Sequence, residues 1–184
     1  YLRNAPSSRE LQLESERLVN ELYFFDVLRS DRSISSNGLE ARTPFLDKTF
    51  VRYYLSIPPE LKVFNSKDRI EKHLLRKAFD NGTYLPDDVL WRRKVAFSDG
   101  VSSQKKSWHK IIQNYVDSKI SDEEFFKAKD SFSHCPPLLK ESYYYRKLFE
   151  SFYPNSEKLV PHFWLPKWST VIDPSARELQ NYKE

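Results

Sequence analysis

The sequence predicts a mostly helical fold, and three observations carry that expectation. Apolar residues recur at three- and four-residue spacing over several windows, which is the period of one helix face. The Ser-x-x-Glu pairs Ser7–Glu10 and Ser121–Glu124 have the spacing of capping boxes, in which side chains satisfy the free N–H groups of a first helical turn. Strand-like alternation of apolar and polar residues is scarce.

Taken in order, Leu11, Leu18, Leu22 and Phe25 mark one face of a long helix running to about Arg29, and polar Ser30 to Gly38 reads as a loop. Pro44 and Asp47 open a short helix through Leu55, stopped by Pro58-Pro59. A third helix is expected from Ser66 or Asp68 with Ile70, Leu74 and Ala78 on one side, and Asn81-Gly82 ends it. Asp87 or Asp88 caps a short helix through Trp91, and a loop from Lys94 to Gly100 follows. A further helix turns Trp108, Ile111, Ile112 and Tyr115 inward. Ser121 opens another, Pro136-Pro137 interrupts, and the last runs from about Lys140 to Tyr153. The tail, with Pro154, Pro161, Pro166 and Pro174, reads as extended and irregular.

The 184 residues are enough for one domain with a substantial core. With 39% hydrophobic and 30% charged residues, the composition is that of a globular protein. A net charge of +4 is spread among interleaved acids, and the densest basic cluster, Arg92-Arg93-Lys94, is flanked by Asp87, Asp88 and Asp99. That pattern argues against a nucleic-acid binder, which shows a larger uncompensated basic stripe. The single Cys135 forms no internal disulfide, and no apolar run nears the ~18 residues needed to span a bilayer, so a cytoplasmic protein without membrane contact is expected. Asn81-Gly82-Thr83 matches a glycosylation sequon but reads better as a turn. His134-Cys135 is too closely spaced for a zinc site, Cys135 has no evident base, and no metal ligands are assigned. No phosphate-binding glycine loop or dinucleotide fingerprint occurs. The chain begins with Tyr1 and holds no Met, which predicts that it is the later part of something longer.

Two loops carry charges beside apolar anchors. In Gly38 to Asp47, Glu40 and Arg42 alternate with Leu39 and Ala41, so an extended backbone puts both charges on one side. Arg42 is suited to hold a carboxylate or phosphate through two parallel hydrogen bonds, or the pair stitches the loop to a neighbour. In Trp91 to Gly100, Trp91 and Phe97 are expected to pin both ends in the core while Lys94 projects into a cleft, where it neutralises charge on a phosphate or leaving group; alternatively this is a solvated basic turn.

Together these stretches resemble the asparagine synthetase family. Asp26-Val27-Leu28-Arg29 and Gly38 to Asp47 are similar to its Asp-x-Leu-Arg and Gly-Val-Glu-Ala-Arg-x-Pro-Phe-Leu-Asp signature. Lys67 with Glu71-Lys72-His73-Leu74-Leu75-Arg76 and Phe79 resembles its Lys…Glu-Lys-x-x-Leu-Arg segment, and Trp91 to Lys94 with Phe97 to Val101 its Trp-Arg-x-Lys…Phe-Ser-Asp-Gly-Val loop. Lys140-Glu141, Tyr143 to Arg146 and Phe149-Glu150 are similar to a further helix of the family. Pro166-Lys167-Trp168 and Asp173 to Arg177 resemble the ending of its eukaryotic members.

The resemblance implies the helical C-terminal half of an α/β adenine-nucleotide-hydrolase-like (PP-loop) synthetase domain, spanning 1–184, with the sheet mostly upstream. It implies ATP and aspartate as substrates, with Mg²⁺: the aspartate side chain attacks the α-phosphate, and ammonia from a glutaminase domain displaces AMP to give asparagine. Lys94 and Glu40 would be catalytic, and Arg42 and Arg32 substrate-binding; a corresponding Glu and Lys are active-site groups in the related β-lactam synthetases. The family's N-terminal Cys nucleophile and its Ser-Gly-Gly-x-Asp-Ser and Gly-Glu-Gly-x-Asp-Glu segments are not in this sequence, so the chain is expected to be inactive alone. Upstream synthetase and glutaminase segments are its expected partners, with a homodimer of the parent protein a further option. Asn37 stands where many members have Trp, and Arg32 where Lys is common. Two alternatives are a related carboxylate-adenylating enzyme of the β-lactam-synthetase kind and a truncated helical interaction module.

Overall fold

Every regular element among the described residues is a helix. The computed structural model describes residues 2–64, 69–95, 100–101 and 107–172. The chain divides into two units, Tyr1–Lys94 and Val95–Glu184.

The first unit opens with a 3₁₀ turn, Leu2–Asn4, and helix α1 (Ser8–Glu21). The predicted cap starts α1: Ser7 Oγ accepts from the Glu10 N–H at 3.2 Å. Leu11 and Glu14 are buried on its inner side. An uncompensated carboxylate there would be costly. Arg17 meets both Glu14 oxygens, at 2.6 and 2.8 Å, and reaches Glu21 at 2.6 Å.

The helix does not run on to Arg29. It passes through a 3₁₀ turn, Leu22–Phe24, breaks at Phe25 (φ −124°, ψ −96°), and restarts as α2 (Asp26–Ser35). Four bulky apolar side chains in succession, Leu22 to Phe25, cannot share one helix stripe. The break lets the Tyr23 and Phe24 rings pack 4.0 Å apart and those of Phe24 and Phe25 6.3 Å apart.

The polar run expected as a loop instead continues α2 to Ser35. Its end is stapled by side chains bonding back to the backbone: Asn37 Nδ2 donates to the Ser33 carbonyl at 2.8 Å, and Ser36 Oγ donates to it at 3.1 Å. The turn after it is a Schellman motif, with Leu39 N–H on the Ile34 carbonyl at 3.2 Å and Gly38 N–H on Ser35 at 3.0 Å. Gly38 supplies the left-handed φ of +69° that this motif needs.

After a 3₁₀ turn, Pro44–Leu46, the Asp47 carboxylate caps α3 (Lys48–Ser56), accepting from the N–H groups of Thr49 at 2.9 Å and Phe50 at 3.0 Å. Helix α4 (Pro59–Lys62) follows. Gln12 Nε2 donates to the Leu55 carbonyl at 3.1 Å, and Lys62 donates to Gln12 and to the Tyr54 carbonyl at 3.3 Å, which ties α1, α3 and α4 together. Burial lowers the Lys62 pKa, with Glu16 and Glu60 opposing the shift.

The expected start at Ser66 or Asp68 lies outside the described residues. Helix α5 (His73–Ala78) begins later, after Lys72 in the left-handed region (φ +61°), so Ile70 is not part of it. It ends before Asn81, whose carboxamide oxygen instead accepts from the Thr83 and Tyr84 N–H groups, at 3.0 and 3.3 Å, to form a turn. In α6 (Asp87–Leu90) Pro86 takes the cap position, and the two aspartates sit in the first turn, where negative charge suits the helix dipole.

The second unit contains α7 (Trp108–Asp117), α8 (Asp122–Ala128) with a 3₁₀ extension Lys129–Ser131, α9 (Lys140–Phe152) and a 3₁₀ turn Glu157–Leu159. Ser121 caps α8 as expected, accepting from the Glu124 N–H at 3.1 Å. Its core joins Val116, Ile120, Phe125 and Tyr143, flanked by Ile112, Ala128, Phe132 and Tyr144. Of the four α7 residues expected to face inward, only Ile112 packs against that core. Trp108, Ile111 and Tyr115 are more than half exposed. The apolar stripe of α7 is wider than the surface that α8 and α9 cover.

Charged groups close the rim of this core. Lys140 reaches Asp122 at 2.8 Å and Asp117 at 3.4 Å, and Arg146 reaches Glu150 at 2.9 Å while lying 4.8 Å over the Phe132 ring. No helix among the described residues is long and apolar enough to cross a membrane.

Candidate functional site

The four residues singled out in the sequence all lie in the first unit. Arg32 sits in the last turn of α2 and is exposed. Gly38 then turns the chain out of the helix, and residues 39–43 run without regular structure.

On that segment Arg42 Nη2 lies 3.1 Å from Glu40 Oε2, with the side chains 83% and 74% exposed. The ion pair is therefore internal to the loop, two residues apart, and this contact joins the loop to no neighbour. It occupies one corner of the guanidinium, which has five N–H donors. The remaining donors can receive a carboxylate or phosphate.

Lys94 is anchored on a different carboxylate. Its backbone N–H donates to Glu71 Oε1 at 2.8 Å, from a residue 23 positions earlier. The same oxygen lies 3.3 Å from Arg76 Nη2. Arg76 Nε donates to the Glu71 carbonyl at 3.0 Å, and its Nη1 donates to the Leu90 carbonyl. Glu71 and Arg76 thus join the turn before α5, the end of α6 and the root of the Lys94 loop. Trp91 reinforces the joint, its ring 5.7 Å from that of His73. Asp80 is held in its charged form, its pKa lowered first by a hydrogen bond from Lys77 and also by one from Trp91.

The sequence placed Glu71 and Arg76 in a motif but gave them no task. Five positions apart, they do not make a helical i,i+4 pair, and the contact to Lys94 spans two intervening helices. Trp91 packs on His73 but is half-buried rather than in the core, and Lys94 is exposed and lines neither of two pockets of this unit. Phe97, assigned to the other end, lies outside the described residues, as do Lys67, Ser98, Asp99 and Asp173 to Arg177.

Among the described residues no group of three or more His, Cys, Asp or Glu side chains is placed to hold a metal ion. The three glycines of the chain, Gly38, Gly82 and Gly100, stand far apart in sequence, unlike the clustered glycines of a phosphate-binding loop. An open groove of about 350 Å³ lies between α1, α2 and α3, lined by Val19, Leu22, Val27, Leu46 and Val51 together with Lys48 and Arg52. The candidate residues do not line it. Among the described residues the candidates are thus Lys94, exposed and with its backbone N–H held by Glu71, the exposed Arg42–Glu40 pair and the exposed Arg32.

Residues 3–179 match the family model Asn_synthase, asparagine synthase. The chain is 51% identical over 183 residues to asparagine synthetase [glutamine-hydrolyzing] of Gallus gallus, covering 100% of this chain and 32% of that protein. The protein of the same description from Rattus norvegicus is 50% identical, and that from Homo sapiens 49%, over the same shares of each chain. The chain spans about a third of the length of these relatives. Its helical architecture agrees with the helical C-terminal part of an adenine-nucleotide-hydrolase-like synthetase fold. A match from residue 3 to residue 179, with about half of all positions identical along the full chain, is far more than a shared loop motif supplies: the chain belongs to the asparagine synthase family.

Proposed function

We propose that this chain is part of the synthetase domain of a carbon–nitrogen ligase that makes asparagine from aspartate and glutamine-derived ammonia, using ATP. The observation that carries the reading is the family match over residues 3–179, supported by relatives described as glutamine-hydrolysing asparagine synthetases. In this reading the whole of 1–184 is one part of the synthetase domain. Upstream synthetase and glutaminase segments complete it in the cytoplasm, and the isolated chain makes no product.

The reaction couples two steps. The aspartate side-chain carboxylate displaces pyrophosphate from the α-phosphate of ATP to give β-aspartyl-adenylate. Ammonia then attacks the activated carbonyl and AMP departs. Lys94 and Glu40 are the catalytic groups contributed here: the Lys94 ammonium offsets negative charge that grows on the phosphates as pyrophosphate leaves. Arg42 and Arg32 bind substrate, Arg42 holding a carboxylate in a two-point grip, and Glu40 faces the incoming ammonia. Mg²⁺ would shield the phosphates, but the described residues of this chain offer no group of three or more His, Cys, Asp or Glu side chains to hold it.

The test is aspartate- and ammonia-dependent release of AMP and pyrophosphate. The longer protein carrying this segment is expected to release both, and Lys94→Ala to lower the rate about 10²–10³-fold, the usual cost of removing one preorganised charge-stabilising group. Release of AMP by the 184-residue chain alone would overturn its predicted inactivity. A carboxylate other than aspartate driving pyrophosphate release would instead identify an enzyme of the β-lactam-synthetase kind.

A further inference from the structure

We propose that Glu71 is a positioning residue for the reaction, fixing the root of Lys94 so that its ammonium meets the phosphates in one geometry. The inference rests on the role assigned to Lys94 under the proposed function.

Three features carry it. The contact is to the Lys94 main chain itself, 2.8 Å from the backbone N–H to Glu71 Oε1, so it sets where the side chain begins. A lysine places its charge at the end of a flexible four-carbon stem, and an unfixed root adds to that freedom. Further, the carboxylate is not free to follow the loop, because Arg76 holds its Oε1 at 3.3 Å and its own carbonyl at 3.0 Å while donating to Leu90. Finally, a hydrogen bond to an ionised acceptor is roughly twice as strong as a neutral one. The loop base is thus clamped to α5 and α6 at the residue whose side chain carries the charge. A displacement of about 1 Å at a reacting group can cost about 100-fold in rate.

A purely structural staple would show the same contacts, so the test separates the two by a double-mutant cycle in the longer protein. Glu71→Ala, Lys94→Ala and the double variant are compared in aspartate-dependent pyrophosphate release. Acting through Lys94, Glu71→Ala lowers kcat about 10–100-fold in the parent background and less than about twofold once Lys94 is Ala. Glu71→Gln, which keeps an acceptor for the Lys94 N–H, restores most of the rate. Equal losses in both backgrounds would overturn the positioning role and leave Glu71 a staple. Unchanged activity in Lys94→Ala alone would remove the proposed role of Lys94, and this inference with it. Should Glu71→Ala fail to fold, Glu71→Asp, which keeps the charge against Arg76 but draws it back from Lys94, enters the cycle and is read the same way.

Discussion

The guanidinium of Arg42 lies 3.1 Å from the carboxylate of Glu40, and both side chains are largely open to water. An ion pair so exposed contributes less than about 1 kcal/mol, because water screens it and ordering two long side chains costs entropy. Replacing either partner with Ala is therefore expected to leave the unfolding midpoint in urea nearly unchanged. In the longer protein, Arg42→Ala is expected to raise the KM for aspartate at least tenfold. An unaltered KM would remove Arg42 from the substrate pocket.

Gly38 tests how the same segment is aimed. With φ at +69° it ends α2, and a Cβ added there meets no atom within 4 Å. Gly38→Ala therefore costs only backbone strain, about 1 kcal/mol, with no clash to relieve. Gly38→Asn is expected to cost less, since Asn tolerates the left-handed region. Urea unfolding of the three proteins should rank them Gly, Asn, Ala. A loss at Ala well beyond 2 kcal/mol would show that the turn is crowded.

Features of the fold that depend on neighbouring residues were legible in the sequence. The caps at Ser7 and Ser121, the Asp47 start and the helix from Lys140 follow from side chains bonding within a few positions of themselves. Features set by distant contacts were not. Apolar period alone could not show that the four bulky residues from Leu22 would break α1, nor that polar Ser30 to Ser35 would stay helical without an apolar stripe. It also overstated the inward face of α7, because the period shows which side is apolar but not how much of it is covered. For the candidate site, the charged loops stood out by composition. The clamp of Glu71 on Lys94 did not, since 23 residues separate the partners.

Ile120 is 2% exposed and Trp108 is 54% exposed, so burial rather than size should decide which truncation hurts the second unit more. Ile120→Ala removes buried methylenes and leaves a cavity, at about 2–5 kcal/mol. Ile120→Val should cost about 0.5–1.5 kcal/mol. Trp108→Ala deletes a larger ring but one about half of which already faces water, and is expected to cost less than Ile120→Ala. The order of the three midpoints in urea checks the argument, and a Trp108→Ala loss above that of Ile120→Ala would contradict it.

Glu124 gives the second unit a dependence on pH whose sign follows from its partners. Lys147 Nζ donates to its carboxylate at 2.7 Å and the Tyr143 hydroxyl donates to the same oxygen at 3.2 Å. The hydrogen bond from Lys147 is the main cause that lowers the Glu124 pKa below the ordinary glutamate value of 4.5, against partial burial. A carboxyl group depressed by folding adds stability that is fully present above its unfolded pKa and is lost as pH falls through its folded one. On the alkaline side, the hydrogen bond to Glu124 raises the Lys147 pKa above 10.5, and burial, followed by the Glu124 contact, raises that of Tyr143 above 10.0. Their contributions are present below the unfolded values and disappear as pH rises through the folded ones. The unfolding midpoint is therefore expected to stay level across neutral pH, to fall below about pH 4.5 and to fall again above about pH 10. Glu124→Gln should lower the plateau and flatten both limbs, because it removes the charge that Lys147 and Tyr143 face. If the acid limb of Glu124→Gln matches that of the parent chain, other carboxylates govern the acid response and the contact to Lys147 adds nothing to stability.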